Sequence, residues 1–144
     1  MSLQDKLKKF MQNKINQQKQ EGEAFLQANK ENANVHVLPE GIQYEVLKEG
    51  TGAQPSVTDT VTAHYKGSLL NGIVFDSSFA RNQPFTAPLT HLIKGWQIAI
   101  PHMKEGSHWR LWIPSDLAYG DSGAGKDIPG GATLIFEVEL LKIG

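Results

Sequence analysis

From Gly41 to the C-terminus, apolar and polar residues alternate with a period of two over several runs, and this limits the fold more than any other feature of the chain. Such a period sends successive side chains to opposite faces of a strand, so each run buries one face and leaves the other polar. Ile42, Tyr44 and Val46 alternate with Gln43 and Glu45. Val57 to Gly67 is rich in Val, Thr and Tyr, types that suit a pleated surface. Trp109, Leu111 and Ile113 repeat the pattern. Thr133 to Ile143 closes the chain with Leu134, Phe136, Val138 and Leu140 on one face and Glu137, Glu139 and Lys142 outside.

The breaks between these runs are equally informative. Asn71-Gly72, between Ser68–Leu70 and Ile73–Phe75, predicts an antiparallel hairpin whose turn residues both tolerate positive φ. Pro84 and Pro88 mark residues 78–91 as a loop or an irregular edge. Gly95 to Met103 is the only helical candidate in this part, with Trp96, Ile100 and Met103 on one face. Pro101 removes a backbone donor and crowds residue 97, which predicts a distorted last turn. The expected class is α+β: a curled antiparallel sheet packed on one short helix.

Residues Ser2 to about Asn32 differ in composition, with no Pro, one Gly and an excess of Gln, Lys, Glu and Asn, so they are expected to be helical. Leu3, Leu7 and Phe10 form one apolar stripe and Met11, Ile15, Gln18, Gly22 and Phe25 a second, neither continuous. Both a solvated helix and a helix that pairs with a second copy or captures clients therefore stay open. In the first 20 residues five lysines face Asp5 alone, giving +4 and leaving −5 for the remainder of a chain of net charge −1. Asn32 to Pro39 reads as a linker. With 144 residues and 40% hydrophobic content, the chain suits one compact domain plus an appendage: 1–36 the helical segment and linker, 37–144 the domain.

Several chemistries are disfavoured. Without cysteine there is no disulfide framework and no thiolate nucleophile. The five histidines show no His-x-x-x-His pair, no Gly-x-Ser-x-Gly elbow occurs, and neither metal nor cofactor is expected. Gly120 to Lys126 imitates a phosphate loop but is followed by Asp127, where Ser or Thr should bind magnesium, and by Pro129-Gly130-Gly131, which cannot open a helix. A net charge of −1 gives no field for nucleic acid. No stretch reaches the roughly 18 apolar residues of a membrane span, and Met1 to Phe10 lacks the apolar core of a secretory signal. A longer N-terminal region and the compartment are left open.

What remains is a set of aromatic residues near predicted loops: Phe75 before Asp76, Phe85, Trp96 and Tyr119. Singly, each is more often core than site. Their order and neighbours change that reading. Gly50-Thr51-Gly52, Val61 to Gly67 with His64-Tyr65, Asn71 to Ser78 with Phe75-Asp76, Asn82 to Phe85, Leu92 to Trp96, Met103 to Gly106, Ala118-Tyr119-Gly120 and Ala132 to Leu141 together resemble the FKBP family of prolyl isomerases over Gly41 to Ile143. Gly22 to Leu26 and Leu38 to Gly41 resemble bacterial members of the macrophage infectivity potentiator type, whose helical N-terminal part makes dimers.

The resemblance implies peptidyl-prolyl cis–trans isomerisation of unfolded or partly folded chains, in a hydrophobic pocket that also accepts macrolides such as tacrolimus and rapamycin. Trp96 would be its floor; Tyr65, Phe75, Phe85 and Phe136 its walls; Leu92 and Ile93 the segment entering the helix; Tyr119 and Ile128 the flanking loop; Asp76 its main charge. Asp76, Tyr119 and Phe136 would carry catalysis. A turn or cap role for Asp76, held by Ser77 and Ser78, stands beside that reading. A peptide-binding or chaperone module of the same fold, with incidental turnover, is the alternative. Gly130-Gly131 departs from the family pattern, so the loop from Asp121 is expected to be looser and substrate preference and macrolide affinity altered. The N-terminal helix is expected not to contribute to the pocket. The resemblance leaves a bacterial periplasm or cell envelope and the cytoplasm equally open.

Overall fold

In the computed structural model, which describes residues 2–144, the alternating runs become one antiparallel sheet and the N-terminal segment one long helix. Helix α1 spans Leu3–Asn29, opened by a reciprocal cap in which the Ser2 hydroxyl accepts from the Asp5 N–H and the Asp5 carboxylate accepts from the Ser2 N–H. The strands are β1 (His36–Val37), β2 (Gln43–Lys48), β3 (Thr60–Leu69), β4 (Val74–Ser77), β5 (Phe85–Pro88), β6 (His108–Ile113) and β7 (Leu134–Ile143). Short helices α2 (Ser78–Arg81) and α3 (Lys94–Ala99) complete the set. Sheet order is β1-β2-β6-β7-β3-β4, with β5 sharing the free edge of β3 beyond β4.

That edge is divided by sequence. Gly67 and Lys66 of β3 register with Asp76 and Ser77 of β4, whereas Thr60 to Ala63 register with Pro88 to Phe85 of β5. Between the two, the one-turn α2 fills the gap, and the buried Ser78 hydroxyl accepts from the Tyr65 N–H at 2.7 Å where no strand backbone is present. Pro84 and Pro88 confine β5 to an edge, as proline must. The core lies between the sheet and α3: Trp96, Ile100 and Met103 pack with Leu111, Ile113, Leu134, Phe136, Val138 and Leu140. Pro101 turns the end of α3 into a single 3₁₀ turn over Ile100–His102.

Four local expectations change. The hairpin at Asn71-Gly72 is not a two-residue turn with both positions at positive φ. Gly72 donates to the Leu69 carbonyl and alone takes φ +91°, so Leu70 and Asn71 form an ordinary turn and Gly72 supplies the left-handed residue that returns the chain to β4. The linker contains β1, paired His36↔Tyr44 and Val37↔Gln43. Residues 78–91 hold α2, β5 and a 3₁₀ turn. Finally, α1 is solvated only in its first half. Its last turns dock on the sheet, where buried Asn29 donates to Gln43 at 2.9 Å and Gln43 donates to the Leu26 carbonyl at 2.8 Å.

That buried amide pair gives a stability test. Gln43→Leu leaves the Asn29 amide without its acceptor, so urea unfolding is expected to show a loss of about 1–3 kcal/mol, with faster amide exchange in the last turns of α1. An unchanged midpoint would show that the helix end is held by other contacts.

Candidate active site

Strand register brings the aromatic residues together. Tyr65 and Gly67 of β3 face Val138 and Phe136 of β7, and paired residues share a sheet face. Gly67 matters because it lacks a side chain: a Cβ there would lie 2.4 Å from the Phe75 ring and 2.8 Å from the Phe136 ring. Those rings therefore meet edge-to-face over the glycine, 5.7 Å apart. Trp96, entering from the first turn of α3 and 5% exposed, stands 5.4 Å from both Tyr65 and Phe85 and 5.2 Å from Phe136.

The result is a cavity of about 410 Å³ lined by Tyr65, Phe75, Asp76, Phe85, His91, Leu92, Ile93, Trp96, Tyr119 and Phe136. This brings nine of the ten residues singled out in the sequence to one place. Ile128 is the exception. It exchanges both backbone hydrogen bonds with Ala124, which folds the loop tip into a tight bridge and turns Ile128 into the core, 7% exposed, away from the cavity lining.

Polar chemistry gathers on one rim. The Tyr65 hydroxyl donates to one Asp76 oxygen, and the Arg81 guanidinium donates to the other while its second nitrogen lies 3.3 Å from the Tyr65 hydroxyl. Partial burial pushes the Asp76 carboxyl up, but the donors Tyr65 and Arg81 outweigh it and hold the group below the usual carboxylate range. Burial, with the Asp76 hydrogen bond second, raises the Tyr65 phenol above its ordinary value, so it stays a donor. Ser77 rather than Asp76 caps α2, its hydroxyl accepting from the Ala80 N–H at 3.2 Å. Asp76 accepts from the Ser77 backbone as well as from Tyr65 and Arg81, so a local turn contact and the rim contacts hold together.

Arg81 and His91 are the cavity-side residues that sequence reasoning missed. Arg81 follows Asp76 by five residues, a spacing that means nothing without the turn between them; Ser77, a good N-cap, was the available hint of that turn. Among the described residues no group of three or more His, Asp and Glu side chains is arranged to hold a metal ion.

Comparison with known proteins fits this geometry. Residues 52–141 match the family model for FKBP-type peptidyl-prolyl cis-trans isomerase, and residues 1–46 the model for the domain amino terminal to it. The chain is 48% identical over 120 residues to peptidyl-prolyl cis-trans isomerase Mip of Coxiella burnetii, covering 83% of this chain and 52% of that one. It is 42% identical over 130 residues to the outer membrane protein MIP of Legionella longbeachae, covering 90% and 56%. The crystal structure of FkpA from Escherichia coli superposes with a TM-score of 0.90 at 33% identity, over 94% of this chain and 63% of that one. The chain thus spans about half the length of these curated relatives. With the family model matched over residues 52–141 and the fold shared at this level of identity, it belongs to the FKBP-type peptidyl-prolyl cis-trans isomerase family.

Proposed function

We propose that the chain accelerates rotation about peptide bonds preceding proline in unfolded or partly folded polypeptides, with residues 37–144 as the isomerase domain and 1–36 as its helical extension. The observation that carries this reading is the aromatic cavity floored by Trp96, with one ionised carboxylate fixed at its rim.

The chemistry needs little else. The barrier of about 18–20 kcal/mol comes from amide resonance, and rotation moves neither a proton nor a covalent bond, so no nucleophile is required. In the twisted amide the charge-separated resonance form is diminished. Apolar walls that exclude water therefore favour the twisted state over the planar one. Phe75, Phe85, Phe136 and Trp96 supply those walls. Tyr119, at 39% exposure on the rim, is placed to donate its hydroxyl to a substrate carbonyl and hold the peptide in a turn. Asp76 acts through charge and by fixing Tyr65, with Arg81 holding it ionised. A pocket of this size and lining also suits a macrolide such as tacrolimus or rapamycin.

A second property is proposed for the free half of α1. Leu3, Leu7, Phe10 and Met11 are all more than half exposed, an apolar stripe that supports pairing with a second copy of the chain. The name of the Legionella relative favours the cell envelope as the compartment. No helix among the described residues is long and apolar enough to cross a membrane.

Three measurements test this. Exchange of a Leu-Pro or Phe-Pro peptide is expected to be accelerated and inhibited by tacrolimus. Asp76→Ala and Phe136→Ala should each lower the rate, and Phe136→Ala should cost about 3–5 kcal/mol of stability as well. A rate equal to buffer for the parent chain would sink the proposal. The pH profile supplies the second. Because Asp76 is depressed below its ordinary value of 3.8, it stays charged in the folded chain past that value, so activity should hold from neutrality down through about pH 4 and be lost only as pH falls through the lower folded value. An acid limb identical in the parent chain and in Asp76→Asn would overturn the role of Asp76. Light scattering is the third: the chain should dissociate when Leu7 and Phe10 are both changed to Glu, and associate more strongly as salt screens the +4 segment. A monomer at every salt concentration would dismiss pairing.

A further inference from the structure

The segment between Tyr119 and Thr133 lies between the cavity and α1. At one end Tyr119 stands on the cavity rim; at the other Thr133 leads into β7. Far from being loose, its two limbs are tied together: the Gly131 N–H donates to the Gly120 carbonyl at 2.9 Å, and the Ala124–Ile128 bridge closes the tip. Gly120 is bonded directly to Tyr119, so whatever fixes residues 130–131 also fixes the backbone beside the Tyr119 ring.

What lies against that limb is the helix. Gly131, at φ +81°, passes so close to α1 that a Cβ on it would sit 2.6 Å from the Ile15 carbonyl oxygen and 3.1 Å from the Lys19 side chain. One helical step along the same face, Lys19 Nζ lies 2.6 Å from the Asp121 carboxylate. One further step along, a Cβ on Gly22 would lie 2.2 Å from the Thr133 hydroxyl. Glycines on both partners are what two backbones need to approach this closely. The pair Gly130-Gly131, anomalous in the sequence, is thereby explained as the seat of the helix.

We infer that α1 is a brace for the proline pocket: through Ile15, Lys19 and Gly22 it holds the 119–133 loop and so positions Tyr119 against substrate. These are positioning residues, not catalytic ones, and the inference rests on the isomerase reading above. It reverses the sequence expectation that the helix leaves the pocket untouched. The affected quantity is substrate affinity, because Tyr119 would hold the peptide while the aromatic walls act on the rotating bond.

The full-length chain provides the test. Lys19→Glu sets like charges at the Asp121 contact and should raise KM for a Leu-Pro peptide about three- to fivefold with kcat unchanged, the size of one exposed ion pair turned repulsive. Combining Lys19→Glu with Asp121→Lys should restore KM. In a Tyr119→Phe background, Lys19→Glu should add nothing further. Amide exchange at Gly131, measured without substrate, should quicken in Lys19→Glu and recover in the charge swap. An unchanged KM, or a rise that persists undiminished with Tyr119→Phe, would overturn the brace. Should the parent chain show no turnover, the isomerase reading fails by itself, and unaltered Gly131 exchange in Lys19→Glu would then dispose of the brace as well.

Discussion

Nine registered pairs, from Val61↔Ile143 to Leu69↔Leu134, join β3 to β7, and the cavity depends on that ladder. It is a long-range pairing, closed only when the last segment of the chain returns to lie between β3 and β6. Bringing such distant segments together has an entropic cost, which burial of Val61, Ala63, Leu134, Val138 and Leu140 offsets on one face. The same register sets Phe136 opposite Gly67, leaving a gap one side chain wide in the face of the sheet. Phe75 and Phe136 fill the gap from its two sides and Trp96 closes it from below. The pocket is thus a property of the ladder's pairing and not an addition to it, and a one-residue slip would send Tyr65 and Phe136 to the solvent face.

Within the pocket, apolar and polar contributions divide by position. A lone carboxylate moved into the aromatic interior would become neutral, since desolvation of a charge far exceeds what one neighbour returns. Asp76 avoids this by standing at the rim, where Tyr65 and Arg81 both donate to it and solvent still reaches the group. Arg81 is exposed, so its charge is screened and adds little to stability; its value is geometric, fixing which oxygen faces Tyr65. In the proposed reaction, dry walls and an oriented rim would act on different parts of a substrate, the rotating bond and its flanking carbonyls.

How much of this was legible in the sequence follows from how local each signal is. Period-two alternation placed β2, β3, β6 and β7, and the 3/4 spacing of Trp96, Ile100 and Met103 placed the buried face of α3, because both patterns record burial residue by residue. Pro101 announced its own distortion. Arg81 announced nothing, because its role exists only after α2 has turned the chain back toward Tyr65. Gln43 alternates as an outward polar residue yet is buried, since α1 covers that face and Asn29 answers its amide. Ile128 carried a family-like position but was diverted into the core by the Ala124 bridge. For Arg81 and Gln43 the missing information was a contact with a distant segment, and for Ile128 it was a bridge within its own loop.

The N-terminal helix extends such distant contacts to the loop that carries the cavity rim. Most of a helix's stability in a protein comes from tertiary packing of one face, and the exposed ion pair between Lys19 and Asp121 contributes little by itself. The anchoring must therefore come from the tight approaches of the loop glycines to Ile15 and of Gly22 to Thr133, and from the buried Asn29–Gln43 pair, all from Ile15 onward in α1. Local stability consequently falls from Asn29 toward Leu3, leaving the apolar stripe at Leu3, Leu7 and Phe10 on the half least fixed by the domain. Anything that covered that stripe would favour the helical state of the whole segment, and helix propagation would carry the gain to Ile15 and Lys19. Association at the far end of α1 and order at the rim of the aromatic cavity would then be linked through a single helix, in both directions.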